Sequence, residues 1–375
     1  MSLRKADPAA GAAPGRHALA HRLYEWLNER YEISGLVELM RHKQVPITRM
    51  SFFYYFGGVS LFLFVVQVVS GILLLMYYVP TEDQAYESVQ YIMSKVKFGW
   101  LVRSIHSWSA NVMILCVFIH MFSVFFMRAY RKPRELTWMS GVGLLGLALA
   151  FGFSGYLLPW NELSFFATKV GTDIVGELPV VGAFLLEVLR GGEEVSGRTL
   201  SRFFGLHVAI LPGVITCVLG LHLLFIQRQG MSAPPEWLAR PPAERRSMKF
   251  FPQFLLRDVL LWLIVFNALA AVSVYWPSHL GVKADPFAPA PAGIKPEWYF
   301  LAQYQTLKLL PATVGPISGE LAGILGMSLG GIVILLLPFI DRTPEGGPRR
   351  RWLDVAGGVV LTYFIIMTVL GHVVQ

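Results

Sequence analysis

Four histidines carry the first chemical signal. His106 and His120 lie 14 residues apart, and His207 and His222 lie 15 apart, each pair within a stretch dominated by apolar residues. At 1.5 Å per residue, each pair is separated by ~21 Å along a helix; at 100° per residue, 14 steps return to within ~40° of the starting face and 15 steps to within ~60°. Each pair therefore projects from roughly one face at two depths. A lone histidine in such a setting is more often a hydrogen-bonded packing residue, but ionisable groups there are costly and need a reason. A proton relay would want carboxylates between the histidines, and neither stretch contains one. Zinc would want a third and fourth ligand close by. Two axial imidazoles at each of two levels suit haem b.

Haem needs space. Gly57 and Gly71 are 14 apart, as are Gly141 and Gly155. Glycines in membrane helices usually serve close packing. Here their repeat equals the histidine repeat, so a side-chain-free patch at each depth is the simplest account. Arg103, three residues before His106, either pairs with a haem propionate or anchors its helix at the membrane edge. The two cysteines, Cys116 and Cys217, give neither a disulfide framework nor a Cys-x-x-Cys-His site for covalent haem. Both read as small apolar fillers.

The elements that position these residues follow from composition. Of 375 residues, 54% are hydrophobic and 15% charged, against about 25% charged in soluble domains. Seven runs lack Asp, Glu, Lys and Arg: 52–79, 104–127, 136–161, 203–227, 259–282, 321–340 and 355–375. Each reaches the ~20 residues that a membrane-crossing helix needs, and barrel strands would be shorter and alternating. The sequence predicts an all-α polytopic membrane protein with seven transmembrane helices. A four-helix haem-binding bundle is followed by three further helices.

The net charge of +8 reads as topology rather than as a nucleic-acid partner. Lys and Arg number 22 in the N-terminal segment and the second, fourth and sixth connections, against 10 in the other three. The positive-inside rule then places the N-terminus in the cytoplasm and the C-terminus outside. No cleavable signal peptide is visible in the sequence, because its first apolar run is too long for one. The histidine-bearing second and fourth spans run in the same direction, placing His106 and His207 near the outer surface and His120 and His222 near the inner one. Expected units are an N-terminal segment (1–51), a four-helix di-haem domain (52–230) and a three-helix domain with a long outer loop (231–375). Pro8–Gly15 reads as disordered, Tyr24–Arg41 as an amphipathic surface helix, and Leu178–Leu189 as a short interfacial helix.

These residues resemble the cytochrome b subunit of the quinol-oxidising cytochrome bc family, over roughly 20–375. The resemblance is carried by the four histidines with Arg103, the 14-spaced glycines, Gly155-Tyr156-Leu157-Leu158-Pro159-Trp160, and Pro296-Glu297-Trp298-Tyr299 preceded by Ala284-Asp285-Pro286-Phe287. The chain looks intermediate between a long eight-span form and a split plant and cyanobacterial form. The 15-residue histidine spacing, Gln90-Tyr91-Ile92-Met93 and Lys132-Pro133-Arg134-Glu135-Leu136-Thr137-Trp138 look like the split form. Phe251-Pro252 and Arg257-Asp258 look like the long one. Tyr55 stands where the split form has a cysteine that tethers a c-type haem, so a covalent haem is not expected. Gln227 stands where a basic residue often follows the last histidine, and Asn161-Glu162 replaces the usual residues after Pro159-Trp160.

The resemblance implies quinol oxidation at an outer pocket, with Glu297 as a general base and Tyr156 and Tyr299 nearby. Pro296 and Trp298 would line that pocket. One electron would pass to a Rieske iron–sulfur protein and a c-type cytochrome. The other would cross through two non-covalent, bis-histidine haems b to quinone near Arg257 and Asp258, giving a Q cycle that contributes to proton translocation. It also implies a homodimeric complex in the lipid bilayer of a bacterial inner membrane. Each assignment has a plainer rival. Glu297 reads also as a surface-loop carboxylate, the tyrosines as an interfacial aromatic belt, and Asp258 as a helix cap or lipid contact. Competing functions are a di-haem anchor of a dehydrogenase or hydrogenase, and a haem-free transporter.

Overall fold

The computed structural model describes residues 16–374; Pro8–Gly15 lies outside them. Two N-terminal helices, α1 (Arg16–Tyr31) and α2 (Ile33–His42), replace the single surface helix expected over Tyr24–Arg41. The break is at Glu32, whose backbone is left-handed (φ 47°), a conformation that an L-residue does not carry through a helix. A short strand, β1 (Gln44–Pro46), then pairs antiparallel with β2 (Ser247–Lys249). That ladder ties the N-terminal segment to the joint between the two halves of the chain.

Four long helices follow. They are α3 (Tyr55–Leu75), α5 (Gly99–Phe126) after the short α4 (Ala85–Ser94), α6 (Glu135–Leu157), and a continuous helical stretch, Gly197–Gln229. The last comprises α9 (Gly197–Gly205), one π turn (Leu206–Ile210) and α10 (Leu211–Gln229). α3 packs on α5 and α6 on α10, so each histidine-bearing helix has a glycine-bearing neighbour.

The connection between α6 and α9 is more helical than expected. Besides α8 (Gly182–Arg190), close to the expected 178–189, it forms α7 (Glu162–Gly176). Asn161 caps α7 through a reciprocal box with Ser164, satisfying donors at the helix start. Asn161 Nδ2 also donates to the Leu280 carbonyl at 2.7 Å, and the Glu162 amide donates to Val282. The unusual Asn161-Glu162 pair thus clasps the outer loop that leads to Glu297.

After the short α11 (Pro235–Leu238), the C-terminal half contains α12 (Leu255–Tyr275), α13 (Trp298–Leu309), α14 (Gly319–Leu335), α15 (Leu337–Ile340) and α16 (Arg351–Val373). Among the described residues, six helices are long and apolar enough to cross a membrane. The remaining expected span, 321–340, is divided. α14 has 17 residues, ~26 Å of helix against a ~30 Å hydrocarbon core. The chain kinks at Leu336 before Pro338, whose ring and missing N–H disfavour an unbroken helix. Among the described residues the protein thus has six helices of spanning length and one shorter apolar helix, and the exact count of seven is not reproduced.

The two halves are locked together on the face expected to be inner. Arg131 Nε donates to Asp341 at 2.9 Å, with both side chains almost fully buried (1% and 0% exposed). Tyr130 donates to the same carboxylate at 2.8 Å, and Arg128 bonds Asp354 at 2.6 Å. Burial alone would raise the Asp341 carboxyl, but hydrogen bonds from Thr343, Tyr130 and Arg131 outweigh it and hold it below the usual carboxylate range. A depressed carboxyl contributes stability at neutral pH that is lost as pH falls through its folded value. Asp341→Asn leaves Arg131 buried without its counter-charge, which should cost ~3–5 kcal/mol. Thermal unfolding of the purified complex checks this: the variant should melt earlier at neutral pH, and the difference should shrink on acidification.

Candidate functional site

The structure brings His106 and His207 together. Their ring centres are 6.5 Å apart with planes at 72°. Two metal–imidazole bonds of ~2.0–2.1 Å, each plus ~1.1 Å from nitrogen to ring centre, require ~6.3 Å. The pair is spaced to hold one metal ion between them. Both residues lie toward the N-terminal ends of their helical stretches, Gly99–Phe126 and Gly197–Gln229, which therefore run in the same direction, as expected for the second and fourth spans.

Each of the four glycines meets one histidine. A Cβ added at Gly155 would lie 2.6 Å from the His207 ring, at Gly57 3.1 Å from His120, at Gly141 3.2 Å from His222, and at Gly71 3.3 Å from His106. The side-chain-free patches thus accommodate the imidazoles themselves. Three serines, each immediately before one of these glycines, hold the rings. Ser70 lies 2.9 Å from His106 Nδ1, Ser140 2.9 Å from His222 Nδ1, and Ser154 3.0 Å from His207 Nδ1. Sequence reasoning missed them, although Ser-Gly at three of the four glycine positions was a visible signal.

The unequal 14- and 15-residue spacings are reconciled by the π turn. Between Leu206 and Ile210 the helix widens, and the Leu211 amide bonds Leu206 five residues back. A π turn absorbs one extra residue, so 15 residues in this helix rotate about as far as 14 in α5. His207 and His222 then return to within ~40° rather than the ~60° of an unbroken α-helix.

Around the outer level, Arg103 is engaged with backbone. It donates to the Ser278 carbonyl at 2.6 Å and to that of His279 at 3.2 Å, anchoring the start of the outer loop. Farther along that loop, Glu297 precedes α13 and is half-buried without capping it. Burial raises its carboxyl above the ordinary range. Tyr299 is buried, and its hydroxyl sits where a side chain at Gly152 would fall, 2.6 Å from the Cβ position. Burial, then the charges of Glu297 and Tyr156, push the Tyr299 phenol far up. Tyr156 and Glu297 thus lie within electrostatic reach of Tyr299. Trp298 turns elsewhere, donating to Asn111 Oδ1 at 2.7 Å, while Pro296 is half-buried.

At the other end the predicted Arg257–Asp258 pair separates. Arg257 is exposed, whereas Asp258 is buried with its carboxylate against Gly58; no ion pair joins them among the described residues. Beside Gln227 a cation arrives from the N-terminal segment: Lys43 Nζ donates to Gln227 Oε1 at 2.6 Å and to its carbonyl at 2.9 Å. Tyr55 stacks on Phe254 at 4.7 Å.

A bundle of long apolar helices with two half-buried imidazoles brought close together defines the class: a membrane-type helix bundle with a place for a metal cofactor. Comparisons with known proteins give the family. A family model described as cytochrome b/b6/petB matches residues 41–230, and one described as cytochrome b (C-terminal)/b6/petD matches 283–375. A cytochrome bc complex cytochrome b subunit from Chlorobaculum thiosulfatiphilum is 51% identical over 92% of this chain and 79% of its own length. A cytochrome b6 from Synechococcus sp. (strain RCC307) is 42% identical over 56% of this chain and 97% of its own. A solved chain of a hyperthermophilic respiratory complex III superposes with a TM-score of 0.81 at 30% identity, covering 94% of this chain and 91% of that one. The chain belongs to the cytochrome b family and is a cytochrome b subunit of a bc-type complex, a haem-binding electron-transport protein of the membrane.

Two variants test the glycine–histidine contacts. Gly155→Ala should displace His207 and perturb or remove the haem signal assigned to the outer site. Gly143→Ala, which meets nothing within 4 Å, should leave the reduced-minus-oxidised spectrum unchanged. Deleting exposed Ala209 from the π turn should restore a regular helix with the 14-residue spacing and keep both haem signals. Deleting Leu219 from the regular helix should misalign His222 and lose one.

Proposed function

We propose that this chain oxidises quinol at the face bearing Glu297 and passes one electron of each pair across the bilayer to quinone at the opposite face. The carrying observation is the 6.5 Å separation of the His106 and His207 rings, backed by Gly71 and Gly155. His106 and His207 would hold one haem b, and His120 and His222 a second, both non-covalently. One-electron carriage between the two levels is the chemistry that haem supplies when bound there. The ~21 Å between levels spans most of the hydrocarbon core, and each electron moved against 100 mV is worth ~2.3 kcal/mol.

The protein's own groups handle the protons. Quinol oxidation releases two, and the outer pocket must accept them as electrons leave. Glu297 is a half-buried carboxylate with a raised proton affinity, suited to take a proton from a quinol hydroxyl and release it outward. Tyr156 and Tyr299 would orient the quinol by hydrogen bonding. Asp258, and Arg257 on the adjoining exposed face, would serve quinone at the inner side. Arg103 would orient the outer haem while holding the loop carbonyls it already bonds.

The reading places residues 52–230 around the haems and 231–375 around the quinol-site loop, with seven spans once α14 and α15 are counted together. It puts the complex in a bacterial inner membrane, with the N-terminal segment (1–51) cytoplasmic and the C-terminus outside. The complex would be a homodimer. The first electron acceptor would be a Rieske iron–sulfur protein, followed by a c-type cytochrome.

Glu297→Gln tests the proton role. Wild-type quinol oxidation should rise with pH as Glu297 ionises, at a higher pH than an exposed glutamate would. The variant should lose that limb and turn over ~10²-fold more slowly or worse, with both haem spectra intact. Unchanged turnover and pH profile would remove Glu297 from the mechanism.

A further inference from the structure

The serine contacts divide unequally between the two levels. At the outer level both imidazoles meet a serine: Ser70 at His106 and Ser154 at His207. At the inner level only His222 does, through Ser140. His120 Nδ1 is buried without a hydrogen-bond partner among the described residues. The residue before its glycine is Phe56, which has no polar side-chain atom.

The direction of these bonds can be worked out. A serine hydroxyl has one proton. Ser70 donates it to the Val66 carbonyl at 2.6 Å, Ser140 to Thr137 at 3.0 Å, and Ser154 to Phe151 at 3.3 Å. A serine whose proton goes to that carbonyl has its oxygen left to accept from the histidine Nδ1–H; the His207 and His222 rings also bond the Phe151 and Thr137 carbonyls. That fixes the tautomer and leaves the Nε2 lone pair free for a metal.

We propose that Ser70 and Ser154 are positioning residues that lower the reduction potential of the outer haem through its two imidazoles. The outer level has two serine-anchored imidazoles and the inner level has one. An acceptor on Nδ1–H makes the imidazole more basic, and a more electron-rich ligand favours oxidised iron. Two such ligands act on the outer iron and one on the inner, so each serine lowers the potential of its own level alone. This rests on the two-haem reading above. The Arg103 cation at the outer level acts in the opposite sense, so the test compares each haem with itself.

The experiment is redox potentiometry on the intact complex, following the two haem spectra separately. Ser70→Ala and Ser154→Ala should each raise the outer potential. The oxidised-to-reduced ratio at fixed potential should fall on the order of tenfold, ~59 mV for a one-electron couple, while the inner haem stays put. Ser140→Ala should raise only the inner potential, and Ser70→Thr, which keeps the hydroxyl, should restore the outer one. If Ser70→Ala does not assemble, Ser70→Cys, close in size but a weak acceptor, should shift the outer haem in the same direction. Outer potentials that ignore these substitutions, or haems that shift together, would overturn the serine assignment alone. Fewer than two haems in the unmodified complex would overturn the two-haem reading instead.

Discussion

A metal held by two imidazoles inside a bilayer would impose one demanding distance, and the helices meet it at one level. The His106 and His207 rings lie 6.5 Å apart, with glycines rather than larger side chains behind them. That proximity goes with the shared direction of the two helical stretches that carry them. Glycines of α3 and α6 stand where any Cβ would press on a ring, and a π turn absorbs the residue that one helix carries beyond the other. The serines beside three of those glycines add a second constraint by hydrogen-bonding Nδ1 of their rings. A buried, protonated imidazole would be costly, so an arrangement that keeps the rings neutral suits their setting.

The remaining helices serve this core from both ends. On one face, Asn161, Arg103 and Tyr86 hold carbonyls of residues 278–281. They thereby fix the start of the loop that leads to Glu297. On the other, buried arginines of the 128–134 turn grip Asp341 and Asp354, so α14 to α16 cannot drift from the bundle. Breaking a buried pair costs far more than forming it gains, which suits a clamp whose task is register.

The apolar runs, the histidine pairs and the glycine repeat were legible because each is a periodic signal along one helix. What escaped notice depends on contacts between segments distant in sequence. Lys43 reaches Gln227 across 184 positions, and nothing local marks it. Glu32 looks helical in sequence yet breaks the surface helix through its backbone. The expected sixth span met Pro338 and the kink at Leu336, a local feature outweighed by the length of its apolar run. The 15-residue spacing was visible, but the π turn that reconciles it was not, because π turns have no strong residue signature. Arg257 and Asp258 were assigned together through the resemblance, yet neighbours on a helix point ~100° apart.

The central claim is that one chain holds two stacked, non-covalent haems through four histidines. The most direct measurement is the haem content of the purified complex per copy of this chain, with acidified organic solvent used to separate free from covalently bound haem. The account predicts two extractable b-type haems per chain, and one after His207→Leu. A single extractable haem in the unmodified protein, or none, would contradict it.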